Sequence, residues 1–243
     1  MIHGKGGTGK AEIIVALDES SLDEAKKLMD RLEGRAQFYK VGLQLFTAAG
    51  PAAVEAVKQH GARVFLDLKL HDIPNTVASA VRSACELGVD LCTIHLSGGP
   101  EMCAAAVESA GDATTILGVT VLTSSDETTL CACGVGGTVA AQVERLAVMG
   151  WQAGVRGFVA SALEVQRLRG LLGPEAVLVI PGVRPAGADR GDQKRVATPA
   201  EVVRRGGTHL VVGRPISRAE DPAAAYEAIG QEIAELDNIT YSE

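Results

Sequence analysis

Three ionisable side chains lie together at the end of one apolar run of the chain. The segment DLKLHDIPNT begins with Asp67 and also carries Lys69 and Asp72. Side chains at positions i and i+2 of a strand point to the same face, so Asp67 and Lys69 should share the interior of a sheet or barrel. Lys40 lies inside another apolar run. We expect these two carboxylates and two ammonium groups to form a network of alternating charges.

Such a network contributes little to stability. Unit charges ~4 Å apart attract each other by ~4 kcal/mol at an effective dielectric constant near 20, but removing each charge from water costs several kcal/mol. Function is therefore the better explanation for the cluster. His71 is its neighbour in sequence. We predict no catalytic role for His71.

Polar residues also occur at the ends of most other apolar runs. Enzymes with parallel (β/α)8 barrels build their active sites at the carboxyl ends of the strands. A single charge there can belong to a local ion pair, whereas a charge or hydroxyl on nearly every run predicts a shared site. The residues are Asp18 after the first run, Lys40 in the second, Asp67 and Lys69 in the third, His95 in the fourth, Thr123 and Ser124 after the fifth, and Arg184 and Arg214 after the seventh and eighth.

Eight apolar runs rich in β-branched residues predict strands. Most are continuous rather than alternating, which is typical of parallel strands covered by helices. They read EIIVALD, FYKVGL, RVFLDLK, LCTIHL, TILGVTVL, GFVASA, VLVIPGV and HLVVGRPI. Helical patterns separate them, and most begin at a polar residue or Pro and stop at Gly. Ser20 or Ser21, for example, is expected to cap the helix in SLDEAKKLMDRL.

Strands that alternate with helices over 243 residues predict a single-domain (β/α)8 barrel, with an open doubly wound sheet as the alternative. We place the barrel at residues 12–236, after a Gly-rich leader (residues 1–11) and before a tail (residues 237–243). Hydrophobic residues make up 47% of the chain and aromatic residues only 3%, so the core must consist mainly of Ala, Val, Leu and Ile.

Composition narrows the possible functions. A net charge of −7 argues against a general nucleic-acid surface. No apolar run approaches the ~20 residues of a membrane span, and no signal-peptide pattern is present. The five Cys are odd in number and lie mostly in apolar segments, which predicts reduced thiols in a cytoplasmic protein. Cys131 and Cys133 lack a second pair or a His cluster, so we predict no metal site.

The first residues contain a glycine motif, GKGGTGKA, from Gly4 to Ala11. Its spacing partly matches a phosphate-binding P-loop, which requires a strand before it and a helix after it. Here a strand-like run follows the motif instead, and Ala11 stands where a Ser or Thr hydroxyl should meet magnesium. We therefore interpret the segment as a leader, with a nucleoside triphosphatase as the weakest alternative.

Several segments together resemble the orotidine 5'-monophosphate decarboxylase family. The most specific is DLKLHDIPNT, since related barrels that act on sugar phosphates share the D-x-K-x-x-D core but lack the IPNT continuation. The residues before Ala11 depart from the family pattern. The other matching segments, in the order of the family, are ALD (16–18), KVG (40–42), LTS (122–124), PGVRP (181–185), GDQKR (191–195) and VGRPI (212–216).

The resemblance implies decarboxylation of orotidine 5'-monophosphate to uridine 5'-monophosphate (UMP), the last step of pyrimidine nucleotide synthesis, without cofactor or metal. Loss of CO2 leaves a poorly delocalised carbanion at C6, which fixed positive charge and a proton donor must meet. Lys69 would be that donor, Asp67 would face the leaving carboxylate, and Lys40 and Asp72 would hold Lys69 charged and aimed. Whether Asp67 repels the ground state or preorganises the site stays open.

The resemblance also implies a homodimer and a set of ligand contacts. Asp72 would enter the site of the neighbouring subunit, together with Ile73 and Thr76. The remaining substrate contacts would be Asp18 and Lys40 at the ribose, Thr123 and Ser124 at the pyrimidine, Pro181 in the PGVRP segment, and Arg184, Gln193, Gly213 and Arg214 at the phosphate.

Two alternative functions stay open at this point. One is a related sugar-phosphate decarboxylase or aldolase, a class that usually requires magnesium. The other is a catalytically silent barrel that binds nucleotides as a regulator.

Overall fold

Strands and helices alternate along the whole described chain. The computed structural model describes residues 11–185 and 197–239. The strands are β1 (Glu12–Leu17), β2 (Phe38–Gly42), β3 (Arg63–Leu70), β4 (Leu91–His95), β5 (Thr115–Val119), β6 (Gly157–Val159), β7 (Val177–Ile180) and β8 (His209–Val212). The helices are α1 (Leu22–Arg31), α2 (Leu43–Ala49), α3 (Pro51–Gln59), α4 (Pro74–Glu86), α5 (Pro100–Ala110), α6 (Glu127–Ala132), α7 (Val139–Gln152), α8 (Val165–Leu172), α9 (Pro199–Arg204), α10 (Arg214–Ser217) and α11 (Pro222–Ile239), and a 3₁₀ turn spans Leu96–Gly98.

The eight strands form a closed parallel barrel. Each strand pairs with the next, and β8 pairs with β1 to close the ring. This confirms the predicted single-domain (β/α)8 barrel and rules out the open sheet, and each of the eight predicted runs contains one strand. Closure brings the carboxyl ends of all eight strands to one mouth, which is where the sequence placed its polar residues.

The barrel interior changes from apolar to polar toward that mouth. An apolar layer fills its lower part and consists of Ile14, Ala16, Phe38, Phe65, Leu91, Leu117, Val179 and Val211. Two residues further along their strands, Phe38 is followed by Lys40, Phe65 by Asp67, and Leu91 by Thr93. Because strand side chains alternate between faces, these three polar residues lie directly above the apolar layer.

The helices cover the outside of the barrel and bury a second, larger apolar cluster between the two layers. Local signals set several of the helix ends. The Ser21 hydroxyl accepts the Glu24 N–H and caps α1, and Thr198 forms a reciprocal capping box with Glu201 at α9. Proline occupies the first turn of α3, α4, α5, α9 and α10, where its missing N–H costs nothing.

Three short helices and one boundary differ from the sequence prediction. α2 begins at Leu43, directly after β2, where we expected the strand to continue. α6 has a good N-cap in Asp126 but no buried residue, so it shows no apolar periodicity. α10 has only four residues. α11 continues to Ile239, beyond the predicted boundary at residue 236. The predicted leader up to residue 10 and residues 240–243 lie outside the described residues.

Substitution of Leu117 by Ala should destabilise the barrel. Leu117 is fully buried in the interior apolar layer, so the change removes apolar contact and leaves a cavity. We expect a loss of about 2–5 kcal/mol in the free energy of unfolding, measured by urea denaturation. Leu171→Ala on α8 is the control, because Leu171 is 45% exposed, and its effect should stay within about 0.5 kcal/mol. Equal effects of the two substitutions would contradict this account of the core.

Candidate active site

A row of four alternating charges crosses the mouth of the barrel. The Lys40 ammonium lies 2.8 Å from Asp18 Oδ1 and 3.7 Å from Asp67 Oδ2. The Lys69 ammonium donates to the other oxygen of Asp67 over 2.8 Å. The Lys40 and Asp67 side chains are only 11% and 13% exposed, whereas that of Asp18 is 60% exposed. The row therefore runs from solvent at Asp18 into the barrel.

The fourth member of this row differs from the one that the sequence suggested. We expected Asp72 to complete the network, but within the chain Asp18 takes that place. The Asp72 side chain is exposed, and its Oδ1 accepts the N–H of Ile73 over 2.7 Å. Among the described residues, no ion pair joins the Asp72 carboxylate. The reason is position, since Asp72 lies beyond the end of β3 rather than on the inward face of a strand.

Gly42 leaves room for the Lys40 ammonium. A Cβ at Gly42 would lie 2.7 Å from Lys40 Nζ and 3.4 Å from Asp18 Oδ1. The separation from Lys40 Nζ is shorter than real Cβ contacts, so a side chain at position 42 would shift the Lys40 ammonium. Gly42 pairs with Asp67 across β2 and β3, which places this space at the centre of the row.

Thr93 of β4 is a site residue that sequence reasoning missed. It is fully buried. Its hydroxyl accepts the backbone N–H of Lys69 over 2.8 Å and donates to Asp67 Oδ1 over 3.1 Å. Lys69 itself has a left-handed backbone, with φ of +53°, a conformation that costs roughly 1–2 kcal/mol for a residue with a Cβ. The sequence signal that was available for Thr93 is its position two residues before His95, on the same face of β4.

Two adjoining cavities open beside the charges. The inner cavity, of about 150 Å³, is walled mainly by apolar residues, with Lys69 and Thr123 among its lining side chains. The outer cavity, of about 490 Å³, is lined by Asp18, Gly213 and the arginines Arg184 and Arg214. The residues common to both cavities are Lys40, Asp67, Pro181 and Val211.

The outer cavity also contains residues that the sequence did not suggest. Arg218, Ser217 and Glu19 line it, and Arg218 follows Arg214 by one turn of α10. Arg184 is buried, and its Nη1 donates to the carbonyl of Val183 over 3.0 Å. Three guanidinium groups around one cavity form a cationic end of the site that suits a phosphate group.

Some predicted site residues lie outside both cavities. Ile73 is 67% exposed, and Thr76 and Ser124 are also exposed, so the single chain does not bring them to the cavity walls. Gln193 lies outside the described residues.

Two histidines flank the row of charges. His71 and His95 have ring centroids 5.5 Å apart. Burial lowers the pKa of His95, and electrostatic interactions with His71 and Lys69 lower it further, whereas Asp67 acts in the opposite direction. The neutral form of His95 is therefore favoured more than in an ordinary histidine.

Within residues 11–185 and 197–239, no group of three or more His, Cys, Asp or Glu side chains is arranged to hold a metal ion. In the same ranges, no helix combines the length and apolar character needed to cross a membrane.

The fold and the site define a (β/α)8-barrel enzyme with a charged site at the carboxyl end of its strands. The chain belongs to the orotidine 5'-phosphate decarboxylase / HUMPS family, whose model matches residues 11–229. This confirms the resemblance seen in the sequence.

Individual relatives cover nearly the whole chain. The orotidine 5'-phosphate decarboxylase of Moorella thermoacetica is 52% identical over 233 residues, which span 92% of this chain and 92% of the relative. That of Geobacter sulfurreducens is 48% identical over 230 residues, which span 92% of this chain and 96% of the relative. The crystal structure of orotidine 5'-phosphate decarboxylase from Lactobacillus acidophilus superposes with a TM-score of 0.82 at 37% identity, over 92% of this chain and 99% of that one.

The His95 environment predicts an NMR titration. His95 should titrate below the ordinary histidine pKa, because burial and electrostatic interactions with His71 and with the Lys69 cation oppose its protonation. Lys69→Ala removes this cation and should raise the pKa of His95. His60 is an internal control, because hydrogen bonds to the Ala56 carbonyl and to Asp30 raise its pKa above the ordinary value. A Lys69→Ala variant in which His95 titrates unchanged, or in which His60 moves equally, would contradict this electrostatic description.

Proposed function

We propose that this chain decarboxylates orotidine 5'-monophosphate to UMP, with Lys69 as the proton donor to C6 of the pyrimidine. One observation carries the proposal. The Lys69 ammonium lines the inner cavity while it is hydrogen-bonded to Asp67, a residue shared by both cavities. The family membership and the names of the relatives supply the substrate.

The two cavities divide the substrate between them. The smaller one, with its apolar walls and Thr123, suits the flat pyrimidine ring, and we assign Ser124 to the same end. The outer cavity suits the ribose phosphate, with Arg184, Gly213 and Arg214 at the phosphate. Asp18 and Lys40 lie between the two ends, where the ribose hydroxyls would be, and Pro181 lines both cavities. Gln193 is assigned to the phosphate by the family resemblance.

The chemical step needs only groups of the protein. The bond between C6 and the carboxylate breaks, CO2 leaves, and the electron pair stays on C6. The Lys69 ammonium transfers one proton to C6 and becomes a neutral amine, which regains its proton from solvent. Preorganised positive charge at the site of the developing carbanion is the main source of stabilisation. Asp67 would lie against the departing carboxylate, and Lys40 would help to hold the array in place.

The active unit of the proposal is a homodimer with shared sites. Asp72 and Ile73 are exposed just before α4, and Thr76 is exposed in the first turn of that helix. Four of the exposed large hydrophobic residues follow strands at the same end of the barrel, which favours a second copy covering this end. They are Leu43, Ile73, Leu122 and Leu163. In such a dimer Asp72 would approach Lys69 of the partner, and the row of charges would gain a third carboxylate.

Two alternatives are open to direct tests. A sugar-phosphate decarboxylase or aldolase of the same fold would be inhibited by EDTA, whereas this chain should keep its activity. A catalytically silent nucleotide-binding barrel would bind UMP without consuming orotidine 5'-monophosphate. A spectrophotometric assay of orotidine 5'-monophosphate consumption, with and without EDTA, separates the proposed function from both alternatives, and UMP binding without consumption identifies the silent barrel.

We also assign the chain to the cytoplasm, as a protein that binds neither nucleic acid nor membrane. All five cysteines are free thiols, and Cys131 and Cys133 are exposed. Free exposed thiols persist where the compartment keeps them reduced. Synthesis of pyrimidine nucleotides from a charged substrate fits the same location.

Lys69→Ala should reduce kcat by about 10³-fold or more, because the variant lacks both the proton donor and a fixed positive charge beside C6. The matched control is Lys27→Ala, since Lys27 is exposed on α1 and away from the site, and its kcat should stay within about twofold of the parent. Circular dichroism establishes that both variants are folded. A folded Lys69→Ala variant within tenfold of parental activity would remove Lys69 from the mechanism.

Mixed dimers test the shared site. Lys69→Ala and Asp72→Asn homodimers should each be inactive, but subunit exchange should restore roughly a quarter of parental activity. Half of the randomly exchanged dimers are mixed, and each mixed dimer has one site without a lesion if Asp72 serves the partner.

The control for this experiment pairs Lys69→Ala with Asp67→Asn. Lys69 and Asp67 contact each other within one chain, so every site in that mixture keeps a lesion and no activity should return. Absence of recovery in the Asp72 mixture, after exchange has been demonstrated by mass spectrometry, would overturn the shared site.

A further inference from the structure

Strands β3 and β4 do not match residue for residue beside the active site. Leu66 pairs with Cys92 and Leu70 pairs with Ile94, so three residues of β3 lie opposite Thr93 alone. The regular ladder of backbone hydrogen bonds is therefore interrupted where Asp67 and Lys69 enter the site. Irregularities of this kind re-aim side chains, and they require other groups to satisfy the freed backbone.

The Thr93 hydroxyl satisfies the freed backbone N–H of Lys69 and also binds the Asp67 carboxylate. It accepts the Lys69 N–H over 2.8 Å, which is the backbone group of a residue in the left-handed region. It donates its one proton to Asp67 Oδ1 over 3.1 Å, and the same oxygen accepts the Lys69 ammonium over 2.8 Å. One hydroxyl, one carboxylate oxygen and both nitrogens of Lys69 thus form a closed set of contacts.

We propose that Thr93 is a positioning residue for decarboxylation. Its hydroxyl fixes the left-handed backbone of Lys69 and one oxygen of Asp67 at the same time, and so sets the direction in which the Lys69 ammonium points. This inference rests on the function proposed above. Thr93 acts through Lys69 and Asp67, and its effect should therefore fall on the chemical step rather than on the binding of the phosphate and ribose.

Two substitutions at position 93 separate the hydroxyl from the shape of the side chain. Thr93→Val keeps the shape and removes the hydroxyl, whereas Thr93→Ser keeps the hydroxyl and removes a methyl group. We expect Thr93→Val to lower kcat by about 10–100-fold, with KM and the Kd of UMP within about threefold of the parent. Thr93→Ser should retain kcat within about threefold, because its hydroxyl can make both contacts.

A matched control separates positioning from general destabilisation. Thr114 is also a buried threonine, and its hydroxyl donates to the Val89 carbonyl over 2.8 Å, just before β5 begins at the opposite end of the barrel. Thr114→Val should lower the melting temperature as Thr93→Val does, but it should leave kcat within about twofold. If Thr93→Val does not fold, Thr93→Ala is measured in its place with the same expected kcat and Kd.

Three results would overturn the inference. These are a hydroxyl-free variant with kcat within threefold of the parent, a Thr93→Ser variant as slow as Thr93→Val, or an equal loss of kcat in Thr114→Val. The parental enzyme is assayed alongside. An inactive parent would refute the proposed function itself, whereas an active parent with an equally active Thr93→Val variant would refute only the role of Thr93.

Discussion

The Asp67 carboxylate between two ammonium groups is the constraint on which the site depends. Its two oxygens face Lys69 Nζ at 2.8 Å and Lys40 Nζ at 3.7 Å, and the three side chains are largely withdrawn from solvent. Desolvation of such charges is compensated only when their geometry is held closely. The surrounding barrel meets this requirement. The neighbouring strands β2 and β3 place Lys40 and Asp67 on one interior face, above the apolar layer that includes Phe65.

This geometry requires a local departure from regular β-structure. Lys69 leaves the β-region and β3 loses its register with β4, so the backbone is strained beside the ion pair of Asp67 and Lys69. Strain of this kind persists only where the surroundings determine the conformation. Here the buried Thr93 hydroxyl and the Asp67 carboxylate supply that determination. Local strain at this position is consistent with the catalytic role proposed for Lys69.

The rest of the site divides into a cationic part and an apolar part, of which the apolar part lies beside the Lys69 ammonium. The arginines of the outer cavity lie at the far end of the mouth, on the segments after β7 and β8, and the apolar inner cavity lies beside Lys69. In the proposed reaction the phosphate does not change chemically. Its binding energy can therefore be used to seat the pyrimidine against the charges. In the proposed dimer, exposed apolar residues at the same end, such as Ile73, would contact the second subunit.

The sequence alone determined the eight strands and the joint inward placement of Asp67 and Lys69, because both follow from local periodicity and composition. It could not determine which carboxylate reaches Lys40. Asp18 does so, rather than Asp72, because β1 pairs with β2 in a register set by barrel closure. The position of Thr93, two residues before His95 on β4, could not reveal what the Thr93 hydroxyl contacts. Its role arises from the mismatch between β3 and β4, and strand register is a property of packed neighbours, which only the tertiary structure decides.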